Sequence, residues 1–189
     1  MIRLILIFTF LIVNLSQLSL AKIASVIGNP NTEEIYFEVN KDTKNYPASL
    51  TKIMTLYIIF EEIKLGNLGL NDEIKFSKYA NLQQPSKLNI DINDIITVDE
   101  AIDALIVKSA NDVAVAVAEK ISGSEKKFVK KMNNYAKKLK LKNTNFANPH
   151  GLPNKSNLSS ANDMFLLSSK LVRDYPEYLN RFKKIKINI

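Results

Sequence analysis

The segment from Pro47 to Lys64 constrains this chain more than any other stretch. Its apolar residues Ile53, Leu56, Tyr57, Ile59, Phe60 and Ile63 occupy more than one face of a helix, so the helix has to be covered from several sides and sit centrally. Pro47 suits the opening turn, where its missing N–H is not needed. Gly66 suits the position just past the end, where left-handed backbone is common. Within the opening turn stand Ser49 and Lys52, three residues apart and therefore on one helix face.

That pair reads as a nucleophile and its base. A serine at a helix N-terminus feels the positive end of the macrodipole, which favours an alkoxide and the oxyanion formed after its attack. A lysine takes the serine proton only when it is neutral part of the time, which requires burial or a second cation nearby. Ser-x-x-Lys also occurs on ordinary surfaces. Here Lys52 is set among Ile53, Met54, Leu56 and Tyr57, where a charge is costly unless paired or tuned for chemistry. The pattern points to acyl transfer through a serine ester.

The 189 residues, 46% hydrophobic and 24% charged, suit one globular domain with a real core. Residues 1–21 stand apart, with a single cation at Arg3, an apolar run from Leu4 to Val13, and Ser19-Leu20-Ala21 ahead of Lys22. This is the layout of a secretory signal peptide, an uncleaved anchor being the alternative. The expectation is an exported protein whose domain spans residues 22–189. The chain has no cysteine, which excludes thiol catalysis and cysteine metal sites.

Without Arg3 the mature chain would hold 25 cations against 19 anions, a formal charge of +6. The excess lies in Lys126, Lys127, Lys130, Lys131, Lys137, Lys138, Lys140 and Lys142, and again in Arg181, Lys183, Lys184 and Lys186. The series lacks the aromatic platform of a nucleic-acid surface. It reads as a solvated helix face with weak attraction to anionic envelope polymers or lipid.

Along the chain, Ile23 to Ile27 and Ile35 to Val39 form a hairpin across Gly28-Asn29-Pro30-Asn31. Residues 66–96 are mixed and rich in turn formers. Thr97-Val98-Asp99-Glu100 is a capping box that starts a helix to about Val107. Ser109-Ala110-Asn111 interrupts, a helix follows from Asp112 to Ile121, and Gly123 and Ser124 separate it from a basic amphipathic helix to about Leu141. Asn148 to Pro153 is a turn, and Ser160 caps a helix to about Arg173.

Ser109 and Asn111 need no function as capping residues. Beside Ser49 and Lys52, however, the Ser109 hydroxyl is placed to relay a proton to a leaving amine and the Asn111 amide to hold a substrate carbonyl. His150 is the only histidine, so a Ser-His-Asp triad would need it. Its place between Pro149 and Gly151 favours a loop-fixing or exposed role. Asp91, Asp94, Asp99 and Glu100 lack the spacing of a metal site.

The stretch Pro47 to Thr55, then Ser109 to Asp112, Asn145 to Pro153 and Ser159 to Met164, resembles the low-molecular-mass penicillin-binding proteins. These are serine D-alanyl-D-alanine carboxypeptidases of the S11 peptidase type. The Ser-x-x-Lys and Ser-x-Asn elements are shared with serine β-lactamases, whereas Asn148-Pro149-His150-Gly151-Leu152 points to the carboxypeptidase branch. The resemblance implies an α+β, β-lactamase/transpeptidase-like fold, in which an antiparallel sheet packs with a mostly helical lobe and the site lies between. It implies Ser49 as the acylated nucleophile, Lys52 as base, Ser109 as proton relay and Asn111 as a substrate-positioning amide. The implied substrate is the D-Ala-D-Ala end of a peptidoglycan stem peptide, with β-lactams as mimics. No metal or organic cofactor and no nucleic-acid partner is expected.

The chain departs from the family pattern at Pro85, where a glycine is usual, and at Asn157, where histidine is common. A third motif, Lys-Thr-Gly or Lys-Ser-Gly, is missing: none of Gly28, Gly66, Gly69, Gly123 and Gly151 follows such a pair. The resemblance puts that motif on a strand beyond Ile189. The expectation is therefore an N-terminal hairpin without the C-terminal sheet strands, and a buried helix that two strands cannot cover. Impaired turnover follows, since one lost oxyanion donor alone costs roughly 100 to 1000-fold. A non-catalytic remnant or wall-binding protein, a separately encoded C-terminal piece, peripheral membrane association and a β-lactamase relative stand as alternatives or additions.

Overall fold

The computed structural model describes residues 23–187; the leader expected at residues 1–21 lies outside them. The hairpin is present as β1 (Ser25–Gly28) and β2 (Ile35–Val39), antiparallel, with Ile27 opposite Phe37 and a bulge between Ile27 and Gly28. Gly28 has little freedom. A Cβ there would lie 2.4 Å from the Glu34 carbonyl oxygen and 2.8 Å from the Phe165 ring, so the glycine lets the hairpin close onto the helix below it.

A 3-10 turn over Ala48–Leu50 leads into α1 (Thr51–Lys64). Gly66 follows the helix end with φ of +75°, as its position predicts. Met54, Ile58, Ile59 and Phe60 are fully buried, so α1 is the axis around which the rest packs.

Between α1 and the capping box lie β3 (Glu73–Lys75), the single turn α2 (Lys78–Asn81) and β4 (Ile95–Thr97). β3 and β4 pair antiparallel, Ile74 opposite Ile96. The capping box is formed: Thr97 accepts from Glu100 N–H, the Glu100 carboxylate accepts from Thr97 N–H, and α3 (Val98–Asp103) follows. The helix then widens into a π turn over Ala104–Lys108 that ends at Ser109 in left-handed backbone, φ +54°.

Helix α4 (Asn111–Ser122) stops at Gly123, φ +74°, and Ser124 caps α5 (Glu125–Lys138). The Val113-Ala114-Val115-Ala116-Val117-Ala118 run of α4 is entirely buried, its small side chains suiting close helix approach. Helix α5 ends three residues before Leu141. Helix α6 (Ala161–Asp174), capped by Ser160, and a 3-10 segment over Pro176–Lys183 complete the described chain.

The expected bare face of α1 is not found. Helices α4, α5 and α6 pack against α1, Phe60 stacks on Tyr178 at 4.1 Å between centroids, and Tyr57 meets Tyr175 edge-on at 5.2 Å. Exposed apolar side chains include Ile27, Tyr36 and Phe37 on the hairpin, with others dispersed at Tyr46, Leu50, Leu65, Leu82 and Phe182. β1 packs on α6 and has β2 as its only strand partner among the described residues. Among the described residues no helix is long and apolar enough to cross a membrane.

Candidate active site

Lys52 is a buried cation with defined partners. Only 3% of its surface is exposed. Its Nζ donates to Asn111 Oδ1 at 2.7 Å and to the carbonyl of His150 at 2.6 Å. Among the described residues no carboxylate pairs with it, and burial lowers its pKa to about 8. This is the poise that a lysine base needs, with a substantial neutral fraction near neutral pH.

The turn after α5 forms the wall behind this lysine. Asn148 Oδ1 accepts from Gly151 N–H at 2.6 Å and its amide donates to Leu152 O at 3.0 Å. His150 Nδ1 accepts from Leu152 N–H at 3.0 Å. Held this way, the turn directs successive carbonyls at α1: Pro149 O accepts from Thr55 Oγ1 at 2.7 Å and His150 O from Lys52. Asn157 adds a third tie, donating to Thr51 Oγ1 at 3.1 Å and accepting from Ala147 N–H.

His150 is thus a loop-fixing residue, and a buried one. Burial, with the nearby Lys52 charge in second place, lowers its pKa to about 4. The neutral ring leaves Nδ1 free to accept the Leu152 hydrogen bond.

On the other side stands the break between the π turn and α4. Asn111 Nδ2 donates to Gln84 O at 2.9 Å while Oδ1 takes Lys52, and Asn111 N–H donates to Ser86 O at 2.7 Å. Both ends of the amide are therefore engaged, and a substrate carbonyl would have to replace Gln84. Asp112, fully buried, accepts from the N–H groups of Leu88 at 3.1 Å and Asn89 at 3.0 Å. The carboxylate pins the 84–89 loop against the site.

Ser49, Lys52 and Ser109 line one cleft of about 430 Å³, with Leu50, Ile53, Leu105 and Phe182 among its apolar walls. The Ser49 and Ser109 hydroxyls make no hydrogen bond to the described residues. Two non-glycine residues in left-handed backbone frame the cleft: Ala48 (φ +48°), directly before Ser49, and Ser109 itself. Such conformations cost about 1–2 kcal/mol each and concentrate at functional sites.

The structure therefore brings Ser49, Lys52 and Ser109 to one cleft and seats Asn111 behind it on Lys52. Sequence reasoning missed the carbonyls of Pro149 and His150, together with Thr55, Asn157 and Asp112. Residue types carry no signal for a backbone acceptor; only the Asn148 to Leu152 motif marked the place. Among the described residues no cluster of three or more His, Asp or Glu side chains is arranged to hold a metal.

A buried lysine near a serine at the start of a central helix, in a mixed helix and strand domain, places the chain in the penicillin-binding, transpeptidase-fold class. The family model for D-alanyl-D-alanine carboxypeptidases, peptidase S11, matches residues 13–189, and the chain belongs to that family. The D-alanyl-D-alanine carboxypeptidase DacA of Haemophilus influenzae is 39% identical over 155 residues, covering 80% of this chain and 39% of the relative. The crystal structure of the D-alanyl-D-alanine carboxypeptidase DacD from Francisella tularensis superposes with a TM-score of 0.84 at 36% identity, over 88% of this chain and 40% of that one. Penicillin binding protein 5 from Haemophilus influenzae gives a TM-score of 0.84 at 36% identity, over 88% of this chain and 49% of that one. The chain thus spans less than half the length of these relatives.

Proposed function

We propose that this chain carries the nucleophile half of a serine D-Ala-D-Ala carboxypeptidase site. The observation that carries the reading is Lys52, buried and held by two neutral acceptors with its pKa lowered to about 8. In the reaction, neutral Lys52 Nζ takes the Ser49 Oγ proton as Oγ bonds to the carbonyl carbon of the penultimate D-Ala. The tetrahedral adduct collapses with cleavage of the C–N bond. The leaving amine receives its proton from the Lys52 ammonium through Ser109 Oγ, and water hydrolyses the Ser49 ester. Asn111 holds Lys52 in place and offers its amide to the substrate once Gln84 O is displaced.

The substrate is a peptidoglycan stem peptide ending in D-Ala-D-Ala, and β-lactams acylate the same serine. We read residues 1–21 as a secretory leader that delivers the chain to the cell envelope, which N-terminal sequencing of exported protein would test. Incubation with a stem-peptide analogue tests the activity: release of D-Ala that S49A abolishes supports the reading, and its absence from folded protein overturns turnover by this chain.

A second reading is favoured by the hairpin, whose exposed Ile27, Tyr36 and Phe37 accompany a sheet of two strands among the described residues. In it, Ser49 is acylated but turnover waits on further strands, encoded separately or in a longer chain. Restoration of D-Ala release by adding the C-terminal portion of a relative would support it.

A further inference from the structure

A second cleft, of about 510 Å³, opens over the corner between α4 and α5. Its volume falls in the range of small-molecule sites, and it shares no lining residue with the cleft that holds Ser49. Gly123 lies on its lining. The backbone there has φ of +74°, and a Cβ would meet nothing within 4 Å, so the turn between the two helices leaves open space at its surface. Val129 and Ala147 supply the apolar part of the wall.

An aromatic ring, two carboxylates and two spare donors converge on this space. Tyr79 on α2 is 53% exposed, and its hydroxyl donates to Glu125 Oε2 at 2.6 Å. Glu119 Oε1 accepts from Ser77 Oγ at 3.0 Å. Each carboxylate is thereby fixed through one oxygen, while its second oxygen has no hydrogen bond among the described residues. Lys126 is exposed and has no ion-pair or hydrogen-bond partner among them. Ser124 Oγ accepts from Lys127 N–H, which leaves its own proton for a ligand.

We propose that this cleft binds a neutral saccharide. A sugar ring presents an apolar C–H face bordered by hydroxyls. An exposed aromatic ring beside two fixed carboxylates meets both parts, because the ring covers the C–H face and each free carboxylate oxygen accepts a hydroxyl proton. The remaining donors, Lys126 Nζ and Ser124 Oγ, suit an acetamido carbonyl. The charges favour a neutral ligand. Glu119 and Glu125 repel the phosphates of a nucleic acid, although Tyr79 offers a stacking surface. Lys126, with Lys127 and Lys130 exposed next to it on α5, repels an organic cation. A hydroxyl-rich neutral ring meets neither penalty. The inference does not depend on the chemistry at Ser49.

The test is a nuclear magnetic resonance titration of the isotope-labelled full chain with the trimer of N-acetylglucosamine. The trimer is expected to shift the backbone amides of Gly123, Ser124, Glu125 and Ala147 in a saturable way and to leave those of Ser49 and Ser109 in place, so the readout is separate from acylation. Tyr79 is exposed, and its replacement keeps the fold. Tyr79→Ala weakens binding by about tenfold or more, through loss of the ring. Tyr79→Phe keeps the ring and stays within about threefold of the natural chain, because the hydroxyl is already engaged by Glu125. Glu119→Gln weakens binding by about fivefold, the difference between a charge-assisted and a neutral hydrogen bond. Absence of any shift at millimolar trimer would overturn the proposal. Shifts confined to the Ser49 cleft, or unchanged binding by Tyr79→Ala, would do so as well. So would a single-stranded oligonucleotide that shifts the same four amides and binds more tightly than the trimer, which would make the cleft a nucleic-acid site.

Discussion

Gly151 rests directly against the carbonyl of Ala48: a Cβ at Gly151 would stand 1.8 Å from that oxygen and 3.1 Å from the Ser49 nitrogen. The turn that supplies the acceptor for Lys52 is therefore in backbone contact with the turn that carries Ser49. With φ at +90°, Gly151 is required twice over, by space and by backbone conformation.

Gly151→Ala is expected to cost at least about 2 kcal/mol of stability, from overpacking and left-handed strain together. Because the strain falls on Ala48 and Ser49, penicillin acylation should fall even at temperatures where the variant stays folded. Urea unfolding and a labelled-penicillin assay on the same sample check both.

Acylation should depend on pH through Lys52. Burial lowers its pKa to about 8, so the neutral amine declines roughly tenfold per pH unit well below that value. The rate of Ser49 acylation should rise through pH 7 to 8 and level off above. Lys52→Arg keeps a charge that cannot be removed in this range and should abolish acylation at every pH; a pH series of stopped reactions measures it.

His150 predicts a stability change of definite sign. Its pKa is about 4 in the fold against about 6.5 in an unfolded chain. Between those values the unfolded state binds a proton that the folded state refuses, so stability falls as pH drops from 6.5 toward 4. The full effect is about 3 kcal/mol. His150→Gln should flatten this part of the curve, which urea titrations of both proteins between pH 7 and 5 would show.

Asp112 is expected to govern the 84–89 loop without reaching the cleft. Asp112→Asn turns an acceptor into a partial donor facing the Leu88 and Asn89 N–H groups. Amide exchange at those two positions should quicken about tenfold to a hundredfold, while exchange in the hairpin stays unchanged.

The parts of the fold that were legible are those with local signals. Thr97 and Glu100 marked a helix start, Gly66 and Gly123 marked helix ends, and Ser124 and Ser160 marked caps, because each acts on backbone groups within one turn of itself. Strands β3 and β4 were not legible. They are three residues each, too short to show alternation, and Glu73 meets Thr97 only through tertiary pairing. The same holds at the site. Ser49, Lys52, Ser109 and Asn111 announce themselves by type and spacing, but the acceptor that positions Lys52 is the carbonyl of His150, 98 residues away, and any residue has a carbonyl. The cover of α1 was not legible either, because it comes from the tertiary packing of α4, α5 and α6 and not from strands.

The most direct test of the account is intact-mass spectrometry of the folded chain after exposure to a labelled penicillin, followed by mapping of the adduct. The account predicts one adduct per chain, on Ser49, forming faster at pH 8 than at pH 6 and absent from the Ser49→Ala and Lys52→Arg proteins. Folded protein that forms no adduct at either pH, or an adduct that persists in Ser49→Ala, would contradict it.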